Sequence, residues 1–96
     1  MVKLVISRVA RRDLREIGLY IARDRPRVAL RVLAKIQSEF EFLTENPGAG
    51  HVREDITAHP YLFWPVYSYE IVYQSKGNTL RIVRVVSGRR DLRKLP

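Results

Sequence analysis

Residues 69–91 read YEIVYQSKGNTLRIVRVVSGRRD and contain two apolar runs on either side of a Gly-Asn pair. Glycine and asparagine tolerate the backbone of a tight turn, so the pattern predicts a β-hairpin with strands at residues 67–74 and 79–86. The second strand is apolar on both faces apart from two arginines, which favours a central place in a sheet. The basic segment that follows it contains no aromatic, histidine or cysteine side chain.

Two amphipathic helices are predicted ahead of this hairpin. A first apolar seam, with spacings of four, three and four, runs from Ala10 to Ile21 behind Ser7, which suits an N-cap. Charged residues, Asp13 among them, occupy the positions assigned to the wetter faces. The second seam begins after Pro26, a residue suited to the first helical position, and stops before the sequence NPGAG. The short linker predicts that the two helices pack antiparallel.

Short strands complete the predicted fold. Alternation at Val2–Ile6 indicates an opening strand, residues 51–61 are expected to form a loop with at most a short strand, and Leu62–Val66 is expected to be an edge strand broken by Pro65. The order is β-α-α-β-β-β. We therefore predict one α+β domain over residues 1–96, with a small antiparallel β-sheet and an N-terminal antiparallel helical hairpin packed on one face.

The composition narrows the chemistry. The 96 residues are 46% hydrophobic and include no cysteine, which excludes a disulfide scaffold, a thiolate zinc site and a cysteine nucleophile. His51 and His59 are expected on the surface, and no metal site or cofactor is predicted. No stretch is apolar enough for a signal segment or a membrane span, so we expect a cytoplasmic protein that has no membrane partner.

The net charge of +8 is unevenly distributed. Residues 1–35 carry ten Lys and Arg against three acids, residues 36–80 carry two against six, and residues 81–96 carry six against one. Such segregation steers an acidic partner towards particular faces. Nucleic acid and an acidic polypeptide both fit this pattern, and a basic surface that only maintains solubility is the alternative.

The basic residues of the last strand and of the segment after it are the predicted target-binding residues: Arg81, Arg84, Arg89, Arg90, Arg93 and Lys94. Trp64 is added as an aromatic anchor. Arg81 and Arg84 are predicted to point to opposite faces, so that at least one lies in a groove or beside the core with an acid. Glu70 is the expected acid across the hairpin. The alternative is a solvated basic end.

Several short motifs follow one another along the chain: Ala10-x-x-Asp13-Leu14-x-x-Ile17 with Tyr20-Ile21, then Ala29, Asn46-Pro47 with Gly50, Tyr69-x-Ile71-x-Tyr73, and Ile82-Val83-Arg84-Val85-Val86-Ser87-Gly88-Arg89-Arg90-Asp91. Each motif alone is weak. In this order and spacing they resemble the RelE/ParE superfamily of bacterial toxins over nearly the whole chain.

The resemblance implies one of two activities. RelE-like toxins cut messenger RNA in the ribosome with basic residues and usually a C-terminal tyrosine or histidine, whereas ParE-like toxins lack that set and poison DNA gyrase. Glu70 stands where RelE-like toxins tend to carry a catalytic arginine, and no tyrosine or histidine follows Arg90. Arginine is a poor proton-transfer group near neutral pH. The ParE-like branch is therefore favoured, with no catalytic residue, although Phe63-Trp64 replaces an arginine that many ParE-like members carry.

The resemblance thus predicts the toxin of a type II toxin–antitoxin pair that inhibits DNA gyrase by binding. It implies a cognate ParD-like antitoxin, with operator DNA bound only through that antitoxin. Leu19, Tyr20, Leu30 and Arg31 are the predicted antitoxin contacts, because they lie off the apolar seams. Two alternatives stay open: a ribosome-dependent ribonuclease that uses Arg81 and Arg90, and a small basic nucleic-acid-binding module that is not toxic.

Overall fold

The computed structural model describes residues 2–88 as two helices packed on one face of a five-stranded sheet. The elements are β1 (Lys3–Ile6), α1 (Arg8–Ala22), α2 (Pro26–Glu45), β2 (His51–Val52), β3 (Leu62–Val66), β4 (Tyr69–Lys76) and β5 (Thr79–Ser87). The strand order is β1-β5-β4-β3-β2. The predicted α+β class is confirmed, as are the helical hairpin and the central position of the last long strand.

The start of the helical hairpin is fixed by Ser7. Its hydroxyl accepts a hydrogen bond from the backbone N–H of Ala10 at 3.0 Å and donates one to the carbonyl of Val83 at 2.8 Å. One side chain therefore caps α1 and ties the helix to β5. Residues 23–25 link the helices, and Pro26 is the first residue of α2, as predicted. The helices approach closely where Gly18 faces Leu33.

The sheet is mixed at one edge. β1 pairs with β5 in the parallel direction, with Lys3 opposite Thr79 and Ile6 opposite Ile82, whereas the other neighbours are antiparallel. β1 and β5 are not joined by a tight turn, which would have required them to be antiparallel. The hairpin itself forms around Gly77, whose φ of 58° is in the left-handed region.

Two strand predictions were wrong in detail. β3 is not an edge strand, because the two-residue β2 pairs with Leu62 and Phe63 on its outer side. Pro65 lies beyond the reach of β2, where no neighbouring strand needs its missing N–H. The next strand begins at Tyr69 rather than Tyr67, because Tyr67 adopts a positive φ of 54° in the turn between β3 and β4.

Tyr73 is the largest fully buried side chain between sheet and helices, and it also anchors the loop after α2. Its hydroxyl donates to the carbonyl of Pro47 at 2.9 Å and accepts from the N–H of Gly50 at 2.8 Å. A Cβ at Gly50 would lie 2.6 Å from this hydroxyl, so the backbone approach requires glycine. The Asn-Pro-Gly-Ala-Gly segment is therefore held against the core by one phenol.

Tyr73→Phe is expected to lower the free energy of unfolding by about 1–2 kcal/mol, because two hydrogen bonds are lost and a half-buried N–H is left unpaired. Urea denaturation followed by far-UV circular dichroism measures this loss. Tyr67→Phe is the matched control, since Tyr67 is 65% exposed. Equal midpoints for the two variants would contradict the anchoring role.

Candidate functional site

Arg84, one of the predicted target-binding residues, is held by α1. Its Nε donates to Oδ2 of Asp13 at 2.8 Å and its Nη2 donates to Oδ1 at 3.0 Å, while the N–H of Val85 donates to the same Oδ2 at 3.0 Å. Asp13 is only 6% exposed. The carboxylate therefore holds a guanidinium and a strand N–H at once, and it fastens α1 to the end of β5.

The acid that pairs with Arg84 is Asp13 rather than Glu70, so the predicted cross-hairpin pair was wrong. β1 ends at Ile6, opposite Ile82, so the edge of β5 beyond that point has no neighbouring strand. α1 passes this open edge, and Asp13 satisfies the N–H of Val85 there. The assignment of Asp13 to a wet face was also wrong. Asp13 lies three residues after Ala10, the first residue of the apolar seam. This spacing is the signal in the sequence that Asp13 faces the core.

The other predicted target-binding residues differ in accessibility. Arg81 is exposed on β5, opposite Gln74. Trp64 is half-buried, because its indole stacks on Phe42 at 5.3 Å between ring centroids and its Nε1 donates to Glu39 at 3.2 Å. The remaining members of the set lie outside the described residues: Arg89, Arg90, Arg93 and Lys94.

A groove of about 220 Å³ lies between α1 and the end of β5. It is lined by acidic, aromatic and aliphatic side chains: Asp13, Glu16, Ile17, Tyr20, Tyr69, Val85 and Ser87. Ser87, which lines this groove, is the last residue of β5.

The outer face of the sheet has a small apolar cluster of its own, built on Phe63, Val72 and Val86. Glu70, between Pro65 and Val86 in the strand register, adjoins it. Its Oε2 is buried and has no hydrogen-bond partner within residues 2–88. Burial raises the pKa of the Glu70 carboxyl above its ordinary value of 4.5, and the nearby charges of Arg53 and His51 oppose part of this shift.

Glu70→Gln is expected to stabilise the protein at pH 7 by up to about 1 kcal/mol, because the neutral amide is less costly to bury than a carboxylate. The pKa of the Glu70 carboxyl is higher in the folded protein than in the unfolded chain. The parent is therefore most stable below the ordinary pKa of 4.5, and it loses this stability as the pH rises through the pKa of the folded state. The gain should therefore disappear below pH 4.5, where both states of the parent are protonated. Thermal midpoints across this range measure it, with the exposed Glu41→Gln as control. A gain that is independent of pH would contradict the assignment.

The predicted antitoxin contacts are all exposed on the helical hairpin. Leu19 is 64% exposed, Tyr20 61% and Leu30 71%, and Arg31 is exposed beside them in sequence. Large apolar side chains on the outer faces of helices have no role in the core of this chain. Where such side chains form a contiguous patch, they are typical of a surface that another protein covers.

Two classes of site are not found in the part of the chain that the structure describes. Residues 2–88 contain no group of three His, Cys, Asp or Glu side chains that could hold a metal ion. Among the described helices, none is long and apolar enough to cross a membrane.

The fold is similar to that of a chain in a solved structure of the chromosomal ParDE TA system from P. aeruginosa. The TM-score is 0.75 and the identity is 22%, over 91% of this chain and 96% of that chain. At this identity the likeness establishes the fold. A search of curated proteins found no match in sequence.

The sequence profile of the family described as the ParE toxin of the type II toxin–antitoxin system parDE matches residues 4–92. The chain therefore belongs to the ParE toxin family, and the sequence-based assignment to the ParE-like branch is confirmed. Membership in a parDE system implies a ParD antitoxin as partner.

Proposed function

We propose that the chain is a toxin that inhibits DNA gyrase and so blocks replication, and that a cognate ParD-like antitoxin neutralises it. The observation that carries the proposal is the family match over residues 4–92, which includes both helices, strands β2 to β5, most of β1 and the start of the basic segment. The antitoxin, and not the toxin, would contact operator DNA in the complex. Both proteins would act in the cytoplasm.

Inhibition would come from binding. Arg81 is exposed on β5, and the basic segment continues from the end of the same strand. These side chains would contact gyrase or the DNA that gyrase holds, because arginine forks suit carboxylate and phosphate groups. Arg84 would contribute less to this contact, because Asp13 holds its guanidinium and its side chain is only 25% exposed.

A supercoiling and DNA-cleavage assay with purified gyrase from the same host tests the proposal. We expect supercoiling to fall and cleaved DNA to accumulate, and we expect the co-encoded antitoxin to reverse both effects. An unaffected gyrase at high toxin excess would overturn the proposal. Transcript cleavage in a translating extract would then identify a ribonuclease instead.

The antitoxin is proposed to cover the exposed side chains of the helical hairpin with an amphipathic segment. Leu19, Tyr20 and Leu30 would receive its apolar anchors, and Arg31 would pair with an acid. The high exposure of the three apolar side chains supports this assignment.

Leu30→Glu is expected to weaken antitoxin binding by about 30-fold or more, because a charge replaces an apolar anchor whose loss costs about 2 kcal/mol. Isothermal titration calorimetry with the cognate antitoxin measures this change. Inhibition of gyrase should be unaltered. The matched control is Val52→Glu on β2, a side chain that is 56% exposed on a different element. Equal loss in both variants would contradict the assignment of the surface.

A further inference from the structure

The first half of α1 presents four arginines to solvent, and the nearest exposed acid on the helix is Glu16, which follows the last of them. Arg8, Arg11, Arg12 and Arg15 are all exposed, and the acid between them, Asp13, is buried against Arg84. Their spacings of three and four place them on one side of the helix, opposite the fully buried Ala10. We call these four side chains the arginine ridge.

The arginine ridge is unfavourable for the isolated helix. Like charges at spacings of three and four repel one another, and cations near a helix N-terminus oppose the positive end of the helix dipole. The first turn of α1 contains no acidic residue that would offset them. Within residues 2–88, no member of the ridge is in an ion pair. Helix stability therefore does not account for the ridge, whereas an external anion would offset its repulsion.

The side chains also converge. They surround a shallow depression whose remaining lining residue is Val9. A ridge from Arg8 to Arg15 is about 10 Å long at 1.5 Å per residue, which is close to the width of the major groove of B-DNA, about 12 Å. Guanidinium groups arranged along such a line can each donate a bidentate pair of hydrogen bonds to a phosphate.

We propose that, in the toxin free of antitoxin, the arginine ridge binds the phosphate backbone of duplex DNA without reading its sequence. The ridge has no aromatic side chain on which an unpaired base could stack, which disfavours single-stranded nucleic acid. Its one apolar lining residue, Val9, is 38% exposed, so an acidic peptide would find little apolar surface to anchor it. This surface lies on α1, and the inference does not rest on gyrase inhibition.

Fluorescence anisotropy with a labelled DNA duplex, in the absence of gyrase and antitoxin, tests the proposal. If all four arginines contact phosphates, the logarithm of the affinity should fall against the logarithm of salt with a slope of about −3.6, which is about 100-fold between 50 and 200 mM. The variant R11Q/R12Q/R15Q should make that slope shallower by about 2.7 and weaken binding at low salt by roughly tenfold or more.

The matched control is R27Q/R31Q/K35Q, which removes the same charge from three exposed positions on α2. The control should keep the slope of the parent, and both variants should keep its circular dichroism spectrum and thermal midpoint. Equal losses in the two variants would overturn the proposal in favour of general electrostatics. Tighter binding of a single strand or of a glutamate-rich peptide than of the duplex would also overturn it. Because gyrase is absent, a negative result leaves the supercoiling assay unaffected.

Discussion

Asp13→Ala is expected to lower the free energy of unfolding by about 3–5 kcal/mol, the cost of breaking a buried ion pair by removing one partner. The variant leaves Arg84 without the carboxylate that holds two of its nitrogens, and it leaves the N–H of Val85 without its acceptor. The side chain of Arg84 is only 25% exposed, so water can replace the lost carboxylate only in part.

Chemical denaturation at neutral pH measures this effect, and a second substitution separates its causes. Adding Arg84→Met to Asp13→Ala should restore part of the stability, because the largely buried positive charge that Asp13 neutralised is removed as well. A double variant that is no more stable than Asp13→Ala would indicate that the lost acceptor of the Val85 N–H, and not the positive charge of Arg84, dominates the cost.

An exposed pair of the same geometry provides the control. Arg53 donates Nε and Nη2 to the two oxygens of Asp55, both at 3.1 Å, but the two side chains are 38% and 67% exposed. Asp55→Asn should therefore leave the denaturation midpoint close to that of the parent, since water screens exposed pairs. If Asp13→Ala lowered the denaturation midpoint no more than Asp55→Asn does, the packing of α1 on β5 would not depend on the buried carboxylate.

The elements that sequence reasoning predicted correctly are those with a local cause. The Gly77-Asn78 turn, the cap at Ser7 and the start of α2 at Pro26 each depend on residues that are near one another in the chain. The central position of β5 followed from its two apolar faces, because a strand with little polar surface must be covered on both sides.

The contacts that sequence reasoning missed join residues that are far apart in the chain. Asp13 and Arg84 are separated by 71 positions, and Glu39 and Trp64 by 25. Periodicity assigns a face to each residue, but which charged side chains meet depends on how α1 crosses the open edge of β5. The exposure of Leu19 and Leu30 could be predicted because it needed only their places outside the apolar seams.

Removal of residues 89–96 is expected to abolish growth arrest while leaving antitoxin binding intact. The family match extends to residue 92, so the start of this segment belongs to the pattern that defines the family. Four cations would be lost: Arg89, Arg90, Arg93 and Lys94. If each contributes about 0.5–1 kcal/mol at the target surface, the concentration needed for gyrase inhibition should rise by about 30- to 700-fold.

The cut should follow Gly88, because its N–H donates to the carbonyl of Ser68 at 2.9 Å and closes the end of β5 onto the turn before β4. A truncated chain that binds the antitoxin with the affinity of the parent would show that the helical hairpin is intact. A second variant, with glutamine at the four basic positions, keeps the length of the chain and removes only its charge. Full gyrase inhibition by both variants would contradict a role for the segment and would leave Arg81 as the exposed member of the predicted set within residues 2–88. Loss of inhibition in both would assign the effect to the charges, because the glutamine variant keeps the length of the chain.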